Sequence, residues 1–185
     1  MPRRNDTRDR TLRTAVDLFR VHGYHGTGLN QVLAAGGLPK GSLYFHFPGG
    51  KEQLAAEAVT MAGAEFRTRI TETFDRAATP ADALADAMRV LADELTAADF
   101  AHGCPIGTVA IDADSDRVRA ACADAFAQWH SVISAALHRS GLSNADTLAT
   151  AVLSAVEGAQ LLARNRRDTT PLYAVAETFA PLLKG

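Results

Sequence analysis

Lys40, Ser42, Tyr44 and His46 fall within seven residues and supply a cation, two hydroxyls and an imidazole. Such side chains donate to phosphate oxygens and base edges. They sit in residues 26–51, where a short helix, the Gly36-Gly37 turn and a second short helix follow one another. That stretch has about the length of a DNA-binding helix-turn-helix. No other part of the chain has a comparable signature. His22 with His25, and His102 with Cys104, have near-metal spacings, but two ligands make no site. The Asp112-Asp114-Asp116 alternation has the look of a calcium loop without its glycine and distant Glu, and reads as a solvated helix start. No phosphate loop, nucleophile elbow or HExxH occurs. No catalytic residue, metal or cofactor is therefore implied, and the chain is not expected to be an enzyme.

The elements that position this cluster can be read from composition and periodicity. The 185 residues suffice for one large domain, or a small and a medium one, and 47% hydrophobic content allows a sizeable core. Abundant Ala and Leu with few β-branched runs predict helix throughout. Residues 1–51 carry eight Lys and Arg against three Asp, a net +5. The whole chain is −2, which leaves −7 for residues 52–185. A basic head on an acidic body is a nucleic-acid footprint at one end only. Cys104 and Cys122 form no CxxC, so no disulfide framework or zinc site follows. The charged N-terminus has no apolar leader stretch, and no apolar run reaches the roughly 18 residues of a membrane span. The expected compartment is a reducing cytoplasm, without membrane contact.

Residues 1–7 read as a polar, basic arm. From about Thr7 to His22, Leu12, Ala15, Val16 and Phe19 recur at helical spacing, and Gly23 stands where a C-cap glycine belongs. Thr27 is placed to cap a helix with Leu29, Val32 and Leu33 facing inward. Gly36-Gly37 breaks it, Pro39 opens the next helix in its first turn, and Pro48-Gly49-Gly50 ends that one. Leu43 and Phe47 are its core residues, and Phe45 reads as packing. A long helix from Lys51 to Arg76 carries a stripe from Leu54 through Phe66 to Phe74. Thr79-Pro80-Ala81-Asp82 starts the next, backed by Leu84, Met88, Leu91 and Leu95. A short segment spans Ile106 to about Ile111, and Ser115 opens a long helix that Gly141 stops. Ser143-Asn144-Ala145-Asp146 reads as a capping box with Asp for Glu, and Thr170-Pro171 as the cap of the last helix. About nine helices and no strand result, an all-α chain with a composition shift near Lys51.

Gly23-Tyr24, Gly26-Thr27, the Ala34-to-Gly37 turn and Lys40-Gly41-Ser42-Leu43-Tyr44-Phe45-His46-Phe47 resemble the N-terminal domain of TetR-family transcriptional repressors. Gly103-Cys104-Pro105-Ile106-Gly107 and Pro48-Gly49-Gly50-Lys51-Glu52 are similar to the LmrA/YxaF-like branch. The resemblance implies that residues 1–51 are a three-helix helix-turn-helix DNA-binding domain and residues 52–185 a helical ligand-binding and dimerisation domain. It implies a homodimer formed through the two C-terminal helices, with recognition helices in successive major grooves of a palindromic double-stranded operator. It also implies a small apolar or aromatic effector, bound in the body, that releases the DNA.

On that reading Lys40 brings a flexible charge to a phosphate and Gly41 lets the backbone approach closely. Ser42 donates or accepts. Tyr44 reaches a phosphate while its ring packs on sugar or a thymine methyl. His46 donates to phosphate and Lys51 grips the flanking backbone. Thr27 caps and touches phosphate, and Asn30 and Gln31 are exposed amides. Arg3, Arg4 and Arg8 reach along the backbone or into a minor groove. In the body, Phe66, Met88, Phe100, Ile106, Phe126 and Trp129 are candidates for an apolar pocket, with ordinary core as the other reading. Gln160 and Glu157 orient a ligand's polar group, lie at a subunit interface, or face water. An alternative function is a helical small-molecule-binding protein with weak or lost DNA binding, because Pro39 and Gly28 stand where the family usually carries hydroxyls. A helical enzyme using His102 or Glu157 is a third reading, without a paired acid–base motif behind it.

Overall fold

The computed structural model describes residues 4–184, without the side chains of residues 4–6, Lys40 and Ser42. Arg3 and the side chains of Arg4, Lys40 and Ser42 therefore lie outside the described residues. Among the described residues are nine α-helices and no strand. In chain order they are α1 (Arg4–His22), α2 (Leu29–Ala35), α3 (Lys40–His46), α4 (Gly50–Arg76) and α5 (Pro80–Ala97). Then follow α6 (Gly107–Asp112), α7 (Asp116–Arg139), α8 (Ala145–Arg166), α9 (Thr170–Phe179) and a closing 3-10 turn, Ala180–Leu183. The sequence marks α1 from Thr7, because apolar periodicity registers only the part of a helix that packs; its first turn begins at Arg4.

Two compact units form. One comprises Met1–Ala64 and Cys104–Phe126, the other Glu65–Gly103 and Ala127–Gly185. In the first, Leu12, Ala15 and Phe19 of α1 are buried, as are Val32 and Leu33 of α2, Leu43 and Phe47 at α3, and Leu54, Ala58 and Val59 of α4. Ile106, Val109, Val118 and Cys122 complete the core. A Cβ on Gly63 would lie 2.8 Å from that of Ala125, so glycine permits the close approach of α4 and α7. Burial pushes the Cys122 thiol from its ordinary 9.0 up to about 11. The unfolded thiol ionises first, so stability should fall as pH rises through that window. Cys122→Ala is expected to remove this part of the slope, read as denaturation midpoints at about pH 8 and about pH 10.

In the second unit, α5, α8 and α9 surround a core of Leu84, Met88, Leu95, Leu148, Val152 and Leu172, with Ile133 and Leu137 from α7. The Thr79 cap forms as the sequence indicates. Asp82 N–H donates to Thr79 Oγ1 at 3.1 Å, and that hydroxyl donates to Asp82 Oδ2 at 2.7 Å. Thr79→Ala is expected to cost about 1 kcal/mol in chemical denaturation. The other two expected caps differ. Asn144 makes no side-chain cap for α8, and Asp146 instead accepts from the Ser134 hydroxyl, which holds its carboxyl below the usual range. At α9 the capping acceptor is Asp168, whose Oδ1 takes the Thr170 N–H at 3.0 Å and hydroxyl at 2.7 Å; these bonds keep its carboxyl low.

Candidate nucleic-acid interface and ligand cavity

Val32 and Leu33 of α2 and Leu43 of α3 turn inward, while Asn30, Gln31 and Tyr44 face out. Gly23 ends α1 with φ +73°, and Gly37 makes the turn after α2 with φ +60°, conformations open to glycine. Gly28, not Thr27, is the N-cap of α2 and has no side chain to cap with. Gln31 Oε1 instead accepts from Gly28 N–H at 3.4 Å. Thr27 is buried, and its hydroxyl donates to Gly23 O at 2.9 Å, so it is a buttress of the preceding turn and no open phosphate donor. Pro39 is the N-cap of α3, with extended backbone and no side-chain bond.

Leu43 and Phe47, four residues apart, anchor α3 at 1% and 0% exposure. Tyr44 and Phe45 point outward at 65% and 63%. Phe45 thus departs from its expected packing role. A turn of about 100° per residue carries it away from the Leu43–Phe47 face of so short a helix. Its edge meets the His46 ring at 5.1 Å between centroids. Asn30, Gln31 and Gly41 are exposed and His46 is half-buried. The sequence therefore missed one member of this surface, Phe45; its i+2 offset from Leu43 was the available signal.

Arg8 and Lys51 are basic residues of the same unit. Arg8 is engaged within the head: it is ion-paired with Glu57, and its guanidinium lies 5.5 Å from the Phe47 ring centre. Lys51 is half-buried, donates to His25 O at 3.5 Å and sits 4.5 Å from the Tyr24 ring centre. Burial lowers its pKa from the ordinary lysine value. Near it, Tyr24 titrates above the usual phenol range because it is buried beside Glu52, Asp114 and Asp112.

The second unit holds a cavity of about 500 Å³ lined by α4, α5, α7 and α8. Phe66, Met88, Trp129 and Gln160 of the sequence candidates line it, as does Glu157. Phe66 and Trp129 form a tilted aromatic pair with centroids 5.4 Å apart. Phe100, Ile106 and Phe126 do not line it. Phe100 packs on the neighbouring core near Arg167, and Ile106, fully buried, and Phe126 belong to the first unit. The three guanidiniums on the wall are paired: Arg69 with Glu94 at 2.5 Å, Arg76 with Glu72 at 3.7 Å, and Arg89 with Asp86 at 3.4 Å. A largely apolar wall with Gln160 and Glu157 among its few polar groups suits a mainly apolar guest. Among the described residues, no three His, Cys, Asp or Glu gather as a metal centre would, and no helix is long and apolar enough to cross a membrane.

Both halves of the chain match known families. Residues 12–58 match the family described as bacterial regulatory proteins, tetR family. Residues 80–178 match the family described as transcriptional regulator LmrA/YxaF-like, C-terminal domain. The HTH-type transcriptional regulator LmrA of Bacillus subtilis is 37% identical over 183 residues, with 97% of each chain covered. The uncharacterized HTH-type transcriptional regulator YxaF of the same organism is 36% identical over 188 residues, covering 100% of this chain and 98% of that one. Among solved structures, the TetR family regulator CifR, complexed with a 26-bp double-strand operator DNA, matches at TM-score 0.81 and 25% identity, with 94% of each chain covered.

Proposed function

Since the chain belongs to the tetR family of bacterial regulatory proteins, with an LmrA/YxaF-like C-terminal domain, we propose that this transcriptional regulator is a repressor. It binds a palindromic operator as a homodimer, and a small apolar or aromatic effector releases it. Residues 1–51 are its DNA-binding domain and residues 52–185 its ligand-binding and dimerisation domain. The observation that carries this reading is α3, anchored by Leu43 and Phe47 while Tyr44 and Phe45 stand exposed. With Lys40, Gly41, Ser42 and His46 on the same helix, and Asn30 and Gln31 on α2, they form the reading surface. CifR, a regulator of similar fold solved with operator DNA, supports operator binding.

Exposed Leu161 and Leu162 of α8, Tyr173 of α9 and Leu182 just after it support pairing with a second copy. The cavity of about 500 Å³ supports the effector. An effector acts only by binding the DNA-incompetent state more tightly, since equal affinity for both states shifts nothing. The test is selection from a random duplex pool at moderate salt without effector. Enrichment of one palindrome, with half-sites about one helical turn apart, is expected. No enrichment by folded, dimeric protein would overturn the reading and favour a ligand-binding protein with weak or lost DNA binding. Binding of the selected duplex should fall steeply with salt, because phosphate contacts release counterions.

A further inference from the structure

The solvated reading of Asp112 does not hold, and its actual partners give it a role. Asp112 is the last residue of α6. One of its carboxylate oxygens accepts from Tyr24 N–H at 2.9 Å, and the other from His25 N–H at 2.9 Å. A Cβ at Gly23 would lie 2.8 Å from Asp112 Oδ2, so the turn needs glycine for clearance as well as for its φ of +73°. The same turn is held elsewhere by Lys51 on His25 O and by the Thr27 hydroxyl on Gly23 O. This turn leads from α1 into α2. The carboxylate that fixes it lies 88 residues further along the chain. Asp112 falls within the stretch matched to the C-terminal domain, 80–178, yet it shares a compact unit with the helix-turn-helix.

We propose that Asp112 is a positioning residue for operator recognition. It ties the helix-turn-helix to α6, so that the heads of two copies meet their half-sites in a fixed pose. Two charge-assisted bonds in a fork add directionality as well as strength to the packing. The proposal rests on the operator-binding reading above.

Asp112→Asn tests it, because the amide keeps the size but turns one acceptor into a donor facing an N–H. Asp114→Asn is the control, a neighbour whose side chain is 75% exposed and lies 3.6 Å from His25 Nε2. Full-length proteins are measured on the selected palindrome and on a duplex carrying a single half-site. With Asp112→Asn, palindrome affinity is expected to fall about tenfold or more, while half-site affinity moves by less than about twofold. Amide exchange at Tyr24 and His25 should quicken in the DNA-free protein. The control should change neither. Equal losses on both duplexes would mean that Asp112 merely stabilises the head, and would overturn the proposal. Unchanged exchange at both amides would overturn the clasp whatever the DNA result. A wild-type protein with no preference for any palindrome would overturn it together with the reading it rests on, and the exchange data tell the two failures apart.

Discussion

Replacing Lys40 and Tyr44 together with alanine is expected to abolish specific duplex binding and leave the thermal unfolding transition in place. Tyr44 is 65% exposed and supports no core, and an exposed change of this kind moves stability by only about 0.5 kcal/mol. Its loss on DNA is of another size. A hydrogen bond to a charged phosphate is worth about 1.5–3 kcal/mol, and the proposed dimer would make each contact twice. The double variant should therefore lose about a thousandfold or more in affinity for the selected palindrome, read by fluorescence anisotropy. The single Lys40→Ala variant should also flatten the salt dependence, because a phosphate contact and its released counterion go with it. Affinity within about threefold of wild type would place the reading surface elsewhere.

Phe47→Ala should fail for the opposite reason. Its ring is fully buried, beneath the Arg8 guanidinium and beside the core that Leu43 enters from α3. Truncating a buried phenylalanine costs about 3–5 kcal/mol, a large share of the roughly 5–15 kcal/mol that holds a domain folded. The variant should melt well below wild type and lose DNA binding with its structure. Circular dichroism separates it from the Lys40 and Tyr44 variant, which stays folded and does not bind. A midpoint within a few degrees of wild type would show that α3 is held by something other than its two inner residues.

What the sequence made legible was local. Thr79 capped α5 as written, because its acceptor, its proline and Asp82 lie within four residues. Gly23 and Gly141 ended α1 and α7 with positive φ, a preference carried by the residue itself. Leu43 and Phe47 were readable from their i, i+4 spacing. The misreadings are long-range. Asp146 was drawn off by Ser134, twelve residues earlier, so its capping box did not form. Asp112 was claimed by a turn on the far side of the sequence. The cavity candidates divided for a related reason. Helical faces show that Phe66, Trp129, Ile106 and Phe126 are apolar, but α4 and α7 each contribute to both units, and periodicity does not say which unit a face serves. Thr27 was misplaced by one residue, enough to exchange a helix cap for a buried hydroxyl.

The cavity of about 500 Å³ has a use that needs neither operator nor gene. Its walls converge from four helices, so the unfolded chain offers a guest nothing comparable. Any compound that enters it therefore binds the folded state alone and raises its stability by mass action, about 2.7 kcal/mol at a hundred times the dissociation constant. Heat then becomes a chemical assay: the compounds that most delay melting in a diverse library are those that best fit the cavity.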